Sequence, residues 1–225
     1  MQGINFIFLI AILILSVVVH EVSHGYTAYL LGDPTAKRAG RLSMNPFKHL
    51  DLTGSFIVPL ILVILKSSFV FGWAKPVPYN PYNLKNQKWG PGLVAVSGPL
   101  SNFLIAGAFG LVALFLPLDS TAKTEIGLAA VNGAAIFGAG YAPALFYFSS
   151  MVVWINVFLG IFNLIPIPPL DGSKVLFSFL PYNKLVNFQI FLEKYGFFIL
   201  LFFLFSFSSV LLPVVFFLFR LFLGL

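Results

Sequence analysis

The residues best suited to chemistry form the motif His20-Glu21-Val22-Ser23-His24, which ends a run without any charged side chain, residues 4–19. On a helix, positions four apart lie on the same face, so both imidazoles can bind one metal ion. Glu21 would then stand beside the open coordination position, where a carboxylate can act as a base. The spacing predicts a zinc site with its general base, placed inside an apolar helix.

Two histidines one turn apart could instead be a satisfied polar pair in a helix bundle, because a five-residue pattern can arise by chance. An ionisable group at the centre of a membrane helix costs about 2.5 to 3.5 kcal/mol, however, and such groups usually have a function. The apolar setting therefore favours a functional site.

The composition indicates a protein that crosses the bilayer several times. Hydrophobic residues make up 59% of the 225 residues and charged residues only 9%, against about 25% charged in soluble domains. Cys is absent, so a metal ion would be held by His and carboxylate ligands. The net charge of +6 comes from basic residues at the ends of apolar runs, which indicates membrane anchoring and excludes nucleic-acid binding.

Hydropathy predicts an all-α polytopic membrane fold with about four transmembrane helices, in a single domain that covers residues 1–225. The predicted spans are residues 4–31, 93–118, 144–165 and 195–219. Basic residues after the first span place residues 33–90 in the cytoplasm and residues 119–140, a linker, outside. The first helix lacks the basic start and the cleavage site of a signal peptide, so we expect it to be retained.

Residues 52–71 are apolar and rich in Val, Ile and Phe, but Gly54, Pro59 and Lys66 interrupt them. The segment could cross the membrane, but we expect a re-entrant β-like hairpin here, because a hairpin would keep the flanking positive charge on one side of the membrane. Irregular backbone is tolerated at membrane depth where it lines a wet cavity. Residues 72–89 are then an extended interfacial loop.

The sequence Pro166-Ile167-Pro168-Pro169 must break the third span, and Asp171 follows it closely. Two histidines leave zinc one protein ligand short, and Asp171 is the best candidate for the third, as a carboxylate in unwound backbone within the membrane. It could also be the N-cap of the helix that resumes at Gly172. His49, in the basic loop, is expected to be a solvated loop histidine.

Three motifs occur in order: the His-Glu-x-x-His motif of the first span, Gly98-Pro99-x-x-Asn102, and Asn163-x-x-Pro166-x-Pro168-Pro169-Leu170-Asp171-Gly172. Together they resemble the site-2 protease family, whose members are zinc metalloproteases that cut transmembrane segments of other proteins. The likeness covers residues 4–180. It implies one zinc ion per chain, with the ligands His20, His24 and Asp171 and with Glu21 as the general base.

The resemblance also implies that Asn163 lies beside the scissile carbonyl and donates to the oxyanion. A hydrogen bond between helices is the alternative for Asn163. Asn102 is expected to brace the re-entrant segment, with substrate binding as the alternative.

Within this family the chain resembles the compact group, because it has room for neither a PDZ domain nor a nucleotide-sensing domain. The expected partners are a transmembrane protein substrate and the lipid bilayer, and the expected location is a prokaryotic inner membrane with the site towards the cytoplasm. An ion transporter and an inactive zinc-bound scaffold are the competing interpretations. Glu21 argues against both, because neither needs a general base next to a metal ligand.

Overall fold

The structure is a computed structural model, and it describes residues 2–51, 75–134, 140–180 and 182–225, with the single residues Gly54, Ile57, Ile61 and Ile64 between the first two ranges. The described residues form helices and no strand. In chain order the helices are α1 (Gln2–Leu30), α2 (Thr35–Arg38), α3 (Gly90–Leu114), α4 (Ser120–Val131), α5 (Tyr141–Asn163), α6 (Asp171–Phe179) and α7 (Tyr182–Leu223), with short 3₁₀ turns at Pro46–Lys48 and Pro81–Asn83.

Four of the described helices are long and apolar enough to cross a membrane, over Ile7–Leu30, Gly90–Leu114, Tyr141–Asn163 and Val186–Phe207. This confirms an all-α, multi-pass membrane protein, and the first three predicted spans agree with α1, α3 and α5 to within a few residues. The predicted linker contains α4, which Asp119 caps by accepting the Ala122 N–H at 2.8 Å.

The predicted last span, residues 195–219, lies within a longer helix. Helix α7 is continuous over 42 residues, about 63 Å at the helical rise, because it contains no proline before Pro213 and accommodates Pro213 without ending. Within it, Val186–Phe207 is long and apolar enough to cross a membrane, and Ser209–Leu223 is a shorter apolar stretch.

The re-entrant β-like hairpin predicted for residues 52–71 is not supported. Most of this range lies outside the described residues, and the four residues that are described, Gly54, Ile57, Ile61 and Ile64, are helical. The three isoleucines are exposed and follow the i, i+4, i+7 period of one helix face. That period is a helix signal, and the prediction gave more weight to the strand propensity of β-branched residues.

The two segments that flank residues 52–74 lie next to each other. The Lys75 N–H donates to the His49 carbonyl at 2.9 Å, which joins the two flanks. Helices α1 and α3 are also antiparallel, since His24 contacts Val94 while His20, earlier in α1, contacts Asn102, later in α3. The end of α1 and the start of α3 therefore lie at the same end of the bundle.

Helix α3 is central and packs against α1, α5, α6 and α7. Glycines permit close approach: a methyl group at Gly160 would lie 2.8 Å from the Phe103 ring, and one at Gly110 would lie 2.4 Å from the Phe222 carbonyl oxygen. Membrane helices associate largely through such close contacts between small residues. The largest buried cluster joins α3, α5 and α7 through Ala106, Ala113, Phe146, Val153, Val157, Val215, Phe219 and Leu223.

Residues 75–83, which we call the strap, are held against the end of α1 by a buried carboxylate. Asp33 is fully buried and accepts the Asn80 N–H at 2.6 Å and an Asn83 side-chain N–H at 2.8 Å. Thr35 donates to the same carboxylate through its backbone and its hydroxyl. The strap therefore has a fixed position relative to α1.

His49 lies beneath the strap rather than in solvent, so the prediction of a solvated histidine is wrong. Only 1% of His49 is exposed, and its ring Nε2–H donates to the Ser43 carbonyl at 2.8 Å. Arg41 donates to the Lys75 carbonyl at 2.6 Å from the same loop. The loop folds onto the strap, and no local sequence pattern signals that tertiary contact.

The hydrogen bonds to Asp33 give a pH dependence with a definite sign. Burial alone would raise the pKa of Asp33, but donation from Asn83, Thr35 and Asn80 outweighs it and lowers the pKa below its usual value. A carboxylate with a lowered pKa stabilises the fold fully above its usual value of about 3.9. That stabilisation is lost as the pH falls through the lowered pKa of the folded protein.

We expect Asp33→Asn to destabilise the protein by about 1–3 kcal/mol at neutral pH, because donors that now face a carboxylate would lose a charged acceptor. The melting temperature of the purified protein in detergent tests this between about pH 3 and pH 7. Acidification should cost the variant less stability than it costs the wild type. Asp119→Asn is the matched control, because Asn also caps helices well; equal melting temperatures for Asp33→Asn and Asp119→Asn at neutral pH would contradict the assignment.

Candidate metal centre

Three side chains from distant parts of the chain meet between α1, α3 and α6. The Nε2 atoms of His20 and His24 each lie 3.0 Å from Oδ2 of Asp171. His20 and Asp171 are buried and His24 is nearly so. The structure therefore brings together the three residues that the sequence predicted as zinc ligands.

The second nitrogen of each ring fixes where its proton lies. His24 Nδ1 is 2.7 Å from the Val94 carbonyl oxygen, which can only accept, so Nδ1 carries the proton. His20 Nδ1 is 2.7 Å from Oδ1 of Asn102 and donates in the same way. Both Nε2 atoms then present lone pairs towards Asp171, and three lone-pair atoms facing one another are stable only around a cation or a proton.

This donor set fits zinc. Two imidazole nitrogens and a carboxylate leave one position of a tetrahedral ion open, as in catalytic zinc sites. Bonds of about 2.0 to 2.2 Å would place the ligand atoms about 3.3 Å apart, so the observed separation of 3.0 Å needs only a small opening. The residues present can hold the ion without rearrangement of the helices.

Glu21 stands beside the histidines and is oriented by the strap. Ligand-capable atoms of Glu21 and of both histidines lie within 4.8 Å of one another, and Glu21 Oε2 accepts the Val77 N–H at 2.8 Å. Pro76 and Pro78 have no N–H, so Val77 supplies the amide. Gly25, one turn along α1, makes the approach possible, because a methyl group there would lie 2.7 Å from Cγ1 of Val77.

Asp171 is the first residue of helix α6, directly after the proline-rich turn, and the N-cap position expected for it is held by Leu170. Asp171 faces the histidines through Oδ2, while its Oδ1 lies 3.7 Å from the Lys174 ammonium. Gly172 allows this turn: a methyl group there would lie 2.2 Å from the Leu164 carbonyl oxygen. The Asp-Gly pair thus combines a candidate metal ligand with a close backbone contact.

The two asparagines singled out from the sequence occupy different environments. Asn102 is fully buried against the His20 ring, and the predicted brace of residues 52–71 lies largely outside the described residues. Asn163 ends α5, and its Nδ2 donates to the Leu159 carbonyl of its own helix at 2.9 Å. A primary amide has two N–H groups, so Asn163 keeps one for another acceptor.

Sequence reasoning missed the groups that orient the site from behind. The Val94 carbonyl and the Val77 N–H belong to the backbone and carry no side-chain signal. Asn156 did carry a signal in the sequence, because an amide within an apolar span is rare without a partner or a function. Its Oδ1 accepts from Asn102 at 2.9 Å.

Gly98 is expected to be essential for zinc binding, because a methyl group there would lie 2.5 Å from His24 Nε2 and 2.6 Å from His20 Cε1. Gly98→Ala should therefore displace both rings and weaken zinc binding by about 10- to 100-fold, the range for groups that support ligands. Gly107→Ala on the same helix is the control, because its methyl group would meet nothing closer than 3.6 Å. Zinc content after dialysis against a chelator tests this, and equal retention by both variants would contradict it.

The chain is similar to known proteins over most of its length. Peptidase family M50 matches residues 8–206. The chain is 36% identical over 174 residues to the "Putative zinc metalloprotease YwhC" of Bacillus subtilis, across 77% of this chain and 69% of that protein. It is 26% identical over 171 residues to the "Putative zinc metalloprotease Rip2" of Mycolicibacterium smegmatis, across 76% of this chain and 56% of that protein.

No solved structure matches the chain. The family match covers most of the sequence and includes every residue of the centre described above. The chain therefore belongs to peptidase family M50, the site-2 protease family, and is a zinc metalloprotease of the membrane.

Proposed function

We propose that the protein is an intramembrane protease that hydrolyses peptide bonds in or near transmembrane segments of membrane proteins. Its single domain, residues 1–225, would hold one zinc ion through His20, His24 and Asp171. The observation that carries this proposal is the convergence of three lone-pair atoms, with Glu21 beside them, inside an apolar helix bundle.

The depth of the site supports this substrate class. From His20 to Leu30, the end of α1, the helix rises about 15 Å, roughly half of a hydrocarbon core of about 30 Å. A peptide bond that reaches such a site must itself lie within the membrane or at its edge. Transmembrane segments of other proteins satisfy that condition.

Zinc, when bound, would polarise the scissile carbonyl and lower the pKa of a bound water to about 7. Glu21 takes a proton from the attacking water and later delivers it to the leaving amine. The Val77 N–H holds one carboxylate oxygen of Glu21 and leaves the other free for this transfer. Asn102 and the Val94 carbonyl keep the ring protons on Nδ1, away from the reacting atoms.

The substrate helix must unwind locally before cleavage, because helical hydrogen bonds and side chains shield each peptide carbonyl. Asn163 would donate its second N–H to the oxyanion that forms, and such a donor contributes about 2.7 to 4 kcal/mol in other hydrolases. Asn102 would act through His20, since it is buried behind that ring.

We expect purified wild-type protein to contain one zinc ion per chain, and Glu21→Gln to keep it while cleaving about 10² to 10⁴ times more slowly. A Gln carbonyl can still accept the Val77 N–H, so the strap should stay in place. Zinc analysis and cleavage of a helix-destabilised transmembrane peptide measure the two effects separately. His24→Ala and Asp171→Ala should lose zinc as well as activity.

We expect Asn163→Ala to keep zinc and to cleave about 10² to 10³ times more slowly, because it would lose one donor to the oxyanion. Full zinc in His24→Ala would disprove the ligand assignment. Wild-type cleavage by Glu21→Gln would disprove the proteolytic mechanism itself.

The proposed location is a prokaryotic inner membrane, with the site towards the cytoplasm. Its support is the basic character of the segment between α1 and α3, whose two ends lie at the same end of the bundle. This segment contains Lys37, Arg38, Arg41, Lys48, Lys75, Lys85 and Lys88.

Cysteine labelling tests the topology directly, because the chain has no Cys. We expect Lys48→Cys and Lys85→Cys to react only with reagents applied from the cytoplasmic side. Lys123→Cys, on α4 between α3 and α5, should react from the opposite side. Labelling of positions 48 and 85 from different sides would contradict the topology.

A further inference from the structure

A chain of buried polar side chains leads away from the metal centre into the bundle. His20 Nδ1 donates to Asn102 Oδ1 at 2.7 Å, and Asn102 Nδ2 donates to Asn156 Oδ1 at 2.9 Å. Asn156 Nδ2 in turn donates to the Ser16 hydroxyl and to the Val152 carbonyl, each at 2.9 Å. The four side chains come from α1, α3 and α5, and all are buried.

The direction of every hydrogen bond in this series of side chains follows from its last acceptor, the Val152 carbonyl. The Val152 carbonyl can only accept, so it must face the NH₂ group of Asn156 and not the amide oxygen. The Asn156 oxygen then points at Asn102 and requires the NH₂ group of Asn102. The Asn102 oxygen is thereby left for His20, and the ring must donate from Nδ1.

The tautomer of His20 determines what its ring presents to the metal position. An imidazole that carries its proton on Nδ1 presents a lone pair on Nε2, and in His20 that nitrogen faces Asp171. Metal-binding histidines depend on such outer hydrogen bonds for ring orientation and tautomer. If the Asn156 amide were turned over or absent, Asn102 could turn over too and offer its NH₂ group to the ring.

We infer that Asn156, ordered by Ser16 and the Val152 carbonyl, is a positioning residue for the zinc centre and acts through Asn102 on His20. This inference rests on the proposed ligand set. Among the described residues Asn156 makes no hydrogen bond to the metal ligands, yet the inference assigns to it control over the tautomer in which His20 is presented.

A purely structural role predicts a different result. Polar contacts between membrane helices contribute about 0.6 kcal/mol on average, so loss of such a contact alone would lower the melting temperature of the metal-free protein and leave the zinc affinity nearly unchanged. If Asn156 works through Asn102, removing both residues should cost little more zinc affinity than removing one. The zinc affinity, compared with the melting temperature of the metal-free protein, therefore separates positioning from a purely structural role.

The test measures the zinc dissociation constant of purified protein by competition with a chelator, alongside the melting temperature of the metal-free protein. We expect Asn156→Ala and Asn102→Ala each to weaken zinc binding by about 10- to 100-fold, and the double variant to match the weaker-binding single variant. Asn156→Asp, which keeps an acceptor for Asn102, should recover most of the affinity. Ser150→Ala is the control on α5, because its hydroxyl is buried and, within the described part of the chain, bonds to the Phe146 carbonyl of its own helix alone.

Zinc affinity of Asn156→Ala equal to that of Ser150→Ala would overturn the inference, as would losses that add in the double variant. If Asn156→Ala does not fold, Ser16→Ala takes its place, since it removes one of the two acceptors that order the amide. Ser16→Ala should bind zinc more weakly than Ser150→Ala, and equality between them would also overturn the inference. A wild-type protein without zinc would instead refute the proposed ligand set.

Discussion

The structure depends on one electrostatic constraint: three lone-pair atoms are held together where water does not compete for them. His20, His24 and Asp171 repel one another through these atoms unless a cation lies between them. The protein must therefore prevent the rings from turning over or taking up protons at the wrong nitrogen. Each ring N–H donates to an acceptor on α3, and this requirement explains why α3 lies at the centre of the bundle.

Matching faces of α1 and α3 bring each ring proton to its acceptor. Ser16, His20 and His24 recur every four residues on α1, and Val94, Gly98 and Asn102 recur every four residues on α3. The antiparallel contact places the Val94 carbonyl against His24, the Asn102 amide against His20, and the bare Gly98 between the two rings. A shift of one helix along the other would misplace all three contacts together, so helix packing and metal chemistry impose the same register.

Local spacing explains which parts of the site could be predicted from the sequence. The His20, Glu21 and His24 pattern needs only one helix, and Asp171 is conspicuous as a carboxylate beside helix-breaking prolines. The partner of Asn102 depends on the register of three helices, which no single segment encodes. His49 was misjudged for a related reason, since its burial arises from a loop that folds over residues much later in the chain. At residues 52–71 two local signals competed, and the helical period of Ile57, Ile61 and Ile64 was given too little weight.

The contact between the strap and Glu21 has a consequence for how sequence changes are tolerated. The group that holds Glu21 is the main-chain amide of Val77, and every amino acid except proline supplies that amide. Side-chain replacement at this position can alter packing against Gly25 but leaves the hydrogen bond itself intact. The bond to Glu21 is therefore independent of the side chain although the backbone amide is indispensable, and an alanine scan would report the packing of the buried Val77 side chain but not the bond to Glu21.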